Sequence, residues 1–473
     1  MQPRPNGRRP ARPVAARAPA TDGSGSRRHV LIVVQNLPVP LDRRVWLECQ
    51  SLAEAGFRVS VICPKGPGDP PFQVLDGIRL HKYDPPAAAR SPLGFVREFA
   101  YCWLQTARLA ACVAARERVD AIQACNPPDT YFSLAAMFKL TGARFVFDQH
   151  DLCPELYGVR FPEGPGHLLA ALRALERATY RLADHVIATN ESFREVALGR
   201  GGLAPDAVSV VRSGPVAARM RRGYPHSGLR NGCRYLGCYL GVMGPQDGVD
   251  LLLRAVAHLV HERGRRDCHF ALLGFGDCFE DLRRLAGELD LTQWVTFTGR
   301  ADDELISAYL SSADVGLAPD PKNGFNDLCS MNKVVEYMAF GLPVVSFDLK
   351  ETRFSAGEAG VYVDDNDPAA FALALDLLLD DPARRQRMGE LARARIETQL
   401  SWEHQAATYV ELYRRLLGVP AGQGTIPLPT AHVARRPARR QVSADAPPLC
   451  PPRPTAPMRR LPRFGRAPRA TAP

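Results

Sequence analysis

The stretch that decides the fold is Ser330-Met-Asn-Lys-Val-Val-Glu-Tyr-Met-Ala-Phe-Gly-Leu-Pro-Val-Val-Ser346. Apolar residues at helical spacing run up to Gly341, which suits the left-handed cap that ends such a helix. Pro343 cannot continue the helix, and the apolar run from Pro343 to Phe347 is typical of a buried parallel strand. A helix that feeds directly into a buried strand is a repeating unit of α/β proteins.

The same stretch carries two charged residues, Lys333 and Glu336, one helical turn apart on a shared face. A carboxylate can accept hydrogen bonds from the two hydroxyls of a ribose. A diphosphate favours a cation beside a helix N-terminus, where backbone N–H groups are unpaired. This turn is therefore a candidate nucleotide-binding element. The alternative is an ordinary surface pair worth roughly 0.2–0.5 kcal/mol.

Short apolar strands alternate with helical stretches along most of the chain. This alternation predicts βαβ units and two mostly parallel sheets, each covered by helices on both faces. A stretch rich in Arg, Gly and Pro, 214–232, predicts the linker between two domains. Ligands in such sheets bind beyond the carboxyl ends of the strands, so we expect the active site in the cleft between the domains. The predicted strands are His29–Val34, Phe57–Cys63, Asp120–Ala124, Arg144–Asp148, His185–Thr189, Val208–Arg212, Arg234–Leu240, Cys268–Leu273, Trp294–Thr298, Asp314–Ala318, Pro343–Phe347 and Gly360–Val363.

Positive charge is concentrated at the two ends of the chain. Residues 1–28 contain seven arginines and one aspartate, and residues 419–473 contain ten arginines and one aspartate. The net charge of +10 therefore conceals a central part at about −5. Both ends have too few aliphatic residues to offset the entropy of ordering, so we predict disordered basic tails. Such tails can attract an anionic membrane surface, whereas their lack of aromatic residues apart from Phe464 argues against nucleic acid.

Targeting signals and cysteine spacing indicate the cellular compartment of the protein. The residues before His29 lack the apolar region of a secretory signal, and no apolar run reaches the ~18 residues of a spanning helix. We therefore expect a cytoplasmic protein. The twelve cysteines show no C-x-x-C spacing, which predicts reduced, buried thiols rather than disulfides or zinc ligands. Examples in apolar strand or helix patterns are Cys63, Cys102, Cys112 and Cys268.

Five further segments follow one another in a recognisable order. They are Phe147-Asp-Gln-His-Asp-Leu-Cys-Pro-Glu155, Tyr239-Leu-Gly-Val-Met-Gly-Pro-Gln-Asp-Gly-Val-Asp250, Leu273-Gly-Phe-Gly276, Val295-Thr-Phe-Thr-Gly-Arg300 and Tyr309-Leu-Ser-Ser-Ala-Asp-Val-Gly-Leu-Ala-Pro319. Together with the opening stretch they resemble the family-4 retaining glycosyltransferases of the GT-B fold, over about residues 29–417. Residues 244–250 and 331–341 further resemble a branch of bacterial O-antigen and exopolysaccharide transferases, which includes N-acetyl-L-fucosamine transferases.

This resemblance implies two Rossmann-like, doubly wound domains that face each other across a cleft. It implies transfer of a hexosyl or N-acetylhexosaminyl unit from a nucleotide-diphosphate sugar, with UDP as the expected nucleotide, to a carbohydrate or lipid-linked acceptor. The anomeric configuration would be retained, in surface polysaccharide or glycolipid synthesis. The predicted parts are a basic tail 1–28, an acceptor-side domain 29–213, a linker 214–232, a nucleotide-sugar-binding domain 233–400, a return helix 401–418 that packs on the first domain, and a tail 419–473.

His150 is the first candidate catalytic residue. It follows the predicted strand Arg144–Asp148 at its carboxyl end, where a cleft residue should lie. By resemblance it would lie near the donor sugar and bond a hydroxyl or the reacting phosphate. The alternative is that His150 and Asp151 merely cap the next helix.

The acceptor side is predicted from two loops of the first domain. Arg43 or Arg44, in the loop after the first strand, could meet an anionic acceptor group, although a solvated loop arginine is equally consistent with the pattern. Asn126 and Asp129, after the third predicted strand, could line the same side.

The chain departs from the family pattern at the diphosphate. Most relatives carry a basic pair where this chain has Val242 and Asp247. We therefore assign the diphosphate charge to Lys333, which would stabilise the leaving group, and to neighbouring groups on the same edge. The other predicted nucleotide-binding residues are Gly244, Gly248, Gly274, Arg300, Asn332 and Glu336. For Gly274 the alternative is a tight strand-to-helix turn.

The usual Glu-x7-Glu pattern is also incomplete, because Leu328 stands eight residues before Glu336. Asp327, one position earlier, is the candidate that could replace the missing carboxylate. No Asp-x-Asp lies in a loop suited to metal binding, so we predict no essential divalent ion and no cofactor besides the nucleotide-sugar donor. The pairs Asp302-Asp303 and Asp364-Asp365 are assigned to helix starts and turns.

Two other functions remain open at this point. One is a GT-B isomerase or hydrolase resembling the nonphosphorylating UDP-sugar 2-epimerases, against which the collinear segments argue. The other is a catalytically weakened scaffold whose basic tails associate with an anionic membrane. Release of free UDP on addition of an acceptor would separate a transferase from the isomerase or hydrolase.

Overall fold

The computed structural model describes residues 27–86 and 92–420. Its first domain is built around an eight-stranded sheet with the order β3-β4-β2-β1-β5-β6-β7-β8, in which only the pairing of β3 with β4 is antiparallel. The central strands β1 and β5 are buried along their whole length, as strands covered on both faces must be. The strands are β1 His29–Val33, β2 Arg58–Pro64, β3 Phe72–Leu75, β4 Ile78–Tyr83, β5 Ala121–Cys125, β6 Arg144–Gln149, β7 His185–Ala188 and β8 Val208–Val210. The helices are α1 Arg43–Glu54, α2 Pro92–Ala114, α3 Phe132–Lys139, α4 Cys153–Arg160, α5 Gly166–Leu182 and α6 Glu191–Gly199.

The sequence prediction missed the hairpin of β3 and β4. Asp76 and Gly77 join these strands, and both have positive φ, at 50° and 78°. Two such residues form the turn whose twist matches a two-residue hairpin, and Asp-Gly is among its preferred sequences. The signal was therefore present in the chain.

The second domain has a six-stranded sheet with the order β11-β10-β9-β12-β13-β14, and all its pairings are parallel. The strands are β9 Tyr235–Val242, β10 Cys268–Phe275, β11 Val295–Gly299, β12 Val315–Ala318, β13 Val344–Phe347 and β14 Gly360–Val363. The helices are α7 Val249–Ala257, α8 Phe279–Glu288, α9 Asp303–Ser312, α10 Asn332–Ala339, α11 Lys350–Ala356, α12 Pro368–Asp380 and α13 Pro382–Arg395. The predicted α/β class with two mostly parallel sheets is confirmed. The predicted basic tails lie outside the described residues, except for 27, 28, 419 and 420.

The last helix, α14 Trp402–Leu417, packs on the first domain. Its Trp402 donates from Nε1 to Ser51 Oγ at 3.0 Å. Tyr409 and Tyr413, both fully buried, donate their hydroxyls to Gln123 Oε1 at 2.7 and 2.5 Å. The end of the second domain is thereby tied to strand β5 of the first.

A buried charged contact joins the two domains beside α11. Glu351 accepts from Ser192 Oγ at 2.7 Å and from Arg212 Nη1 at 3.0 Å. The Arg212 and Glu351 side chains are only 9% and 3% exposed. Asn190 of the first domain also donates to the backbone oxygen of Leu328 at 2.8 Å. Because a buried charge is costly without its partner, this contact favours one relative position of the domains.

Helix α10 lies unusually close to its sheet because β12 contains a glycine. A Cβ added at Gly316 would lie 2.3 Å from ring atoms of Tyr337. The Tyr337 hydroxyl accepts from Leu240 N at 2.7 Å and donates to Leu317 O at 3.1 Å, so it is bonded to two neighbouring strands. The helix that carries Lys333 and Glu336 is thus fixed against the sheet.

Two further predictions from the sequence, on membrane-spanning helices and on cysteines, can be compared with the described residues. Between residues 27 and 86 and between 92 and 420, no helix has both the length and the apolar run needed to cross a membrane. The eleven cysteines in these ranges are all free thiols. Cys112 is exposed, against the prediction of a buried thiol, because it lies on the outer face of α2.

We expect Gly316→Ala to lower the free energy of unfolding by about 1–3 kcal/mol, because the new methyl group collides with the Tyr337 ring. The matched control is Gly287→Ala in α8, where no atom lies within 4 Å of the added Cβ. The control should be neutral or gain up to ~1 kcal/mol from helix propensity. Urea unfolding measures both, and equal stability of the two variants would contradict the close packing of α10.

Candidate functional site

The strand order of the second sheet reverses between β9 and β12, which is the point where doubly wound sheets bind ligands. The loops that follow these two strands touch there. Gly248 has φ +64°, and a Cβ on it would lie 2.1 Å from the Pro319 backbone oxygen. Only glycine satisfies both the backbone conformation and this approach. The predicted nucleotide-binding residues Lys333, Gly244 and Gly248 gather at this crevice.

Lys333 does not face the crevice as a free cation. Its side chain is 8% exposed, and its Nζ lies 2.5 Å from Asp320 Oδ1 and 3.8 Å from Asp247 Oδ1. Burial lowers the pKa of Lys333, but the two carboxylates outweigh burial and hold it above its usual value. Asp320, which is almost fully buried directly after β12, was missed by sequence reasoning. An acidic residue two positions past a buried strand was the only available signal.

Asp247 stands at one of the two positions where the family pattern described above has a basic residue. Its own carboxylate lies at the predicted anion site. Its Oδ2 accepts from the Gly244 backbone N–H at 2.9 Å. Burial raises the pKa of Asp247 to about 6, and Asp320 adds to the rise while Lys333 opposes it. The backbone donor expected to meet a phosphate therefore already holds a carboxylate in this structure.

Glu336 reaches in a different direction from Lys333. Its side chain is 18% exposed, and its Oε1 accepts from Arg43 Nη1 of the first domain at 3.2 Å. The same guanidinium also bonds Asp303 at the start of α9. Burial raises the pKa of Glu336 despite the opposing pull of Arg43. The predicted ribose ligand thus lies at the face where the two domains meet.

Three other predicted residues of the second domain follow strands β11 and β12, beyond their carboxyl ends. Asp327 accepts from the backbone N–H of Lys350 at 2.8 Å and so caps the start of α11. Asn332 is exposed as the first residue of α10. Arg300 is exposed at the end of β11, with its guanidinium carbon 3.9 Å from the centre of the Phe275 ring. Their roles toward a substrate stay predictions.

Gly274 packs against the protein's own backbone. A Cβ on Gly274 would lie 1.9 Å from the backbone oxygen of Gly241, its partner in β9. Gly276 similarly approaches the backbone of Met243. This contact supports the tight strand-to-helix turn that was the alternative reading of these glycines, while contact with a nucleotide stays a prediction.

His150 lies in a buried polar network at the carboxyl end of β6. Its Nε2 donates to Asp148 Oδ2 at 2.7 Å, and Arg44 Nη2 donates to Asp148 Oδ1 at 3.0 Å. Arg44 Nε lies 3.1 Å from Glu48 Oε1. Burial lowers the pKa of His150, but Asp148 outweighs it, so the pKa lies above its usual value. Arg44 Nε also lies 3.2 Å from His150 Nε2, so Asp148 and Arg44 together fix the orientation of the ring.

This network decides between the two predicted acceptor-side arginines. Arg44 is only 8% exposed and spends its donors on Asp148, Val211 O and Ser213 Oγ. It is therefore a buried support of the network. Arg43, at 47% exposure, is the arginine that faces the second domain.

Asn126 and Asp129, the residues that could line the acceptor side, are both buried, and that role stays a prediction. Asn126 donates to Asp129 Oδ1 at 2.8 Å and accepts from the His150 backbone N–H at 2.6 Å. Burial raises the pKa of Asp129 to about 7. These residues shape the loop that holds His150.

One group among the described residues has the spacing of a metal site. Ligand atoms of Cys125, Asp148 and His150 lie within 4.8 Å of one another. The Arg44 guanidinium, 3.0 Å from Asp148, opposes a cation at that place. This geometry therefore gives a metal ion little support.

A cavity of about 650 Å³ lies at the opposite end of the second sheet, away from the crevice. It is lined by residues that precede β12 and β13, such as Asp314 and Pro343, and by arginines of the linker and α13. Two of these arginines, Arg222 and Arg393, donate to backbone oxygens. The cavity thus lies at a structural junction of the linker.

Comparisons with known proteins agree with this geometry. Residues 41–214 match the glycosyl transferase 4-like domain, and residues 234–381 match the glycosyl transferases group 1 domain. The two matches do not overlap, and together they cover more than half of the chain.

Curated relatives include a D-inositol 3-phosphate glycosyltransferase of Thermomonospora curvata, which is 28% identical over 49% of this chain and 57% of that protein. Another is a GDP-mannose-dependent alpha-(1-6)-phosphatidylinositol monomannoside mannosyltransferase of Mycolicibacterium smegmatis, 33% identical over 44% of this chain and 54% of that protein. The chain thus spans about half the length of the curated relatives it matches.

Solved structures match over a larger part of the chain. Sucrose-phosphate synthase from Thermosynechococcus elongatus superposes with a TM-score of 0.68 at 20% identity, over 83% of this chain and all of that one. Anabaena HepE in complex with UDP-glucose superposes with a TM-score of 0.60 at 16% identity, over 82% and 99% of the two chains. At such identities the likeness shows the fold, which is GT-B. The chain therefore has the GT-B fold, with a first domain that matches the glycosyl transferase 4-like model and a second domain that matches the glycosyl transferases group 1 model.

Proposed function

We propose that the protein transfers a sugar from a nucleotide-diphosphate sugar, UDP-linked by preference, to a carbohydrate or lipid-linked acceptor with retention of configuration. The observation that carries this proposal is Glu336, a largely buried carboxylate beside the β9/β12 crevice that faces the opposite domain. It is suited to accept hydrogen bonds from both hydroxyls of a ribose.

The names of similar proteins support a nucleotide-sugar donor without choosing the base. HepE was solved with UDP-glucose, while the mannosyltransferase is named as GDP-mannose-dependent. The O-antigen and exopolysaccharide branch is our preference from the sequence, through residues 244–250 and 331–341. A panel of donors must therefore include both bases.

In the proposed reaction the glycosidic bond to the phosphate breaks as the acceptor oxygen attacks the same face of the sugar. The leaving phosphate takes the acceptor proton. His150 would bond the sugar or this phosphate from the first domain, oriented by Asp148. Closure of the two domains would exclude water, since hydrolysis would otherwise compete with transfer.

The charge that grows on the leaving diphosphate would be stabilised by the N-terminus of α10 and by Lys333. In this structure the Lys333 ammonium forms ion pairs with Asp320 and Asp247. Its stability role and its catalytic role must therefore be separated by experiment.

We place the protein at the cytoplasmic face of a membrane when its acceptor is lipid-linked. The basic ends of the chain would supply electrostatic attraction. Helix α2 adds a second surface, because it exposes Val96, Phe99 and Leu104 at 63%, 40% and 61% alongside exposed Arg97 and Arg108. Apolar side chains flanked by arginines suit an interfacial helix.

We expect Glu336→Gln to weaken nucleotide-sugar binding or turnover at least ~10-fold, because hydrogen bonds to a charged group contribute about 1.5–3 kcal/mol. A thermal-shift panel of UDP, GDP and their sugars gives binding, and release of free nucleotide with and without acceptor gives turnover. The fold should be intact. Unchanged kinetics would contradict the ribose assignment, whereas nucleotide release that needs no acceptor would indicate a hydrolase.

We expect Lys333→Met and Asp320→Asn each to destabilise the protein by about 3–5 kcal/mol, because each leaves a buried partner uncompensated. The double variant should regain most of that stability in urea unfolding but not kcat, since it lacks the cation at the diphosphate. Lys322→Met, at an exposed position of the same loop, is the control and should change stability by less than ~0.5 kcal/mol. Recovery of kcat in the double variant would show that Lys333 acts only on the fold.

We expect a chain limited to residues 29–418 to keep activity on a soluble acceptor analogue but to lose salt-sensitive binding to anionic vesicles. The attraction of the removed arginines decays over a Debye length of ~10 Å at 0.1 M ionic strength. Cosedimentation with anionic and neutral vesicles measures this. If the shorter chain binds as tightly as the full one, the α2 surface makes the contact, and changing Val96, Phe99 and Leu104 to serine should then abolish it.

A further inference from the structure

Arg43 is bound to the residue assigned to the donor. It is the first residue of α1, and its guanidinium crosses from the first domain to Glu336, with Nη1 3.2 Å from Oε1, and to Asp303. About half of the Arg43 side chain is exposed, at 47%, whereas Glu336 is 18% exposed. Solvent therefore reaches the Arg43 side chain of this ion pair, whereas the Glu336 carboxylate is mostly buried.

A ribose and Arg43 compete for the same carboxylate. A ribose that uses both oxygens of Glu336 would share Oε1 with Arg43 and so weaken the hydrogen bond between Arg43 and Glu336. The partly exposed ion pair is weak enough to be exchanged, because such pairs are screened by water. Asp303, with its side chain 86% exposed, is too open to hold Arg43 firmly on its own.

Once released, Arg43 lies at the crevice of the first domain. The strand order of the first sheet reverses between β1 and β5, and the loops after these strands are joined by Tyr131, which donates to Gln35 Oε1 at 2.8 Å. Arg43 begins the helix that follows the β1 loop. Arg44, the neighbouring cation, is buried and committed to Asp148.

We propose that Arg43 is a specificity residue for an anionic group on the acceptor, held by Glu336 until the ribose of the donor displaces it. The inference rests on the proposed function. It implies that the donor binds first and that its binding exposes a guanidinium to the acceptor. A guanidinium suits a phosphate or carboxylate, which it can bind through two parallel hydrogen bonds.

The first test titrates UDP and GDP into the wild type, Arg43→Ala and Arg160→Ala. Arg160 forms another ion pair between the two domains, with Asp277 at 2.7 Å, and serves as the matched control. Removal of Arg43 should tighten nucleotide binding roughly two- to fivefold, because Glu336 loses its competitor. Arg160→Ala should show no such gain.

Weaker or unchanged nucleotide binding by Arg43→Ala would overturn the inference, and so would an equal gain in Arg160→Ala, which would indicate general loosening of the domains. If the wild type binds neither nucleotide, the proposed function fails and the inference with it. Binding by the wild type without a gain in Arg43→Ala overturns the inference alone.

The second test uses inorganic phosphate and acetate as probes of the acceptor side, titrated into protein saturated with the nucleotide that binds. The wild type should bind a probe that Arg43→Ala does not, and Arg43→Lys should keep part of this binding because it keeps the charge. A preference for phosphate over acetate, or the reverse, identifies the acidic group. Equal binding of both probes by wild type and Arg43→Ala would overturn the assignment.

Discussion

The geometry of the crevice depends on the buried ion pair of Lys333 and Asp320. Their side chains are 8% and 2% exposed, and their charged atoms lie 2.5 Å apart. A buried ammonium is tolerated only beside a carboxylate, so the first turn of α10 must lie against the end of β12. The glycine at 316 lets Tyr337 complete the same contact one turn later. These two contacts fix the orientation of α10. In that orientation the Glu336 side chain points toward the first domain, where it contacts Arg43.

The turn at the end of β9, which the sequence predicts to bind an anion, also pairs its polar groups within the protein. Gly244 donates its backbone N–H to Asp247, so the turn that the sequence predicts to meet a phosphate holds a carboxylate of its own. With its pKa raised to about 6, Asp247 takes up a proton more readily than an exposed aspartate does. A diphosphate nearby would raise that pKa further and favour the neutral form. Protonation of Asp247 would then lessen its repulsion of a diphosphate at this turn.

The sequence predicts local features of this fold well. The helix that ends at Gly341, the strand that follows it and the alternation into two parallel sheets depend on periodicity and on turn residues that are adjacent in the chain. Contacts between distant residues are not visible in that way. Asp320 precedes Lys333 by a loop whose path no pattern reveals. The same holds for the contact of Gly274 with Gly241, which depends on strand pairing, and for the cap that Asp327 gives to α11.

Arg43 and Arg44 are neighbours in the sequence but have different partners in the structure. The sequence treats them as equivalent loop arginines, but both lie at the start of α1, where successive side chains point about 100° apart. One direction leads into the domain, where Arg44 balances Asp148 and Glu48 and so allows the carboxylate to orient His150. The other leads across to Glu336. One helical step therefore separates a buried arginine that supports the Asp148–His150 pair from a half-exposed arginine that contacts Glu336 of the second domain.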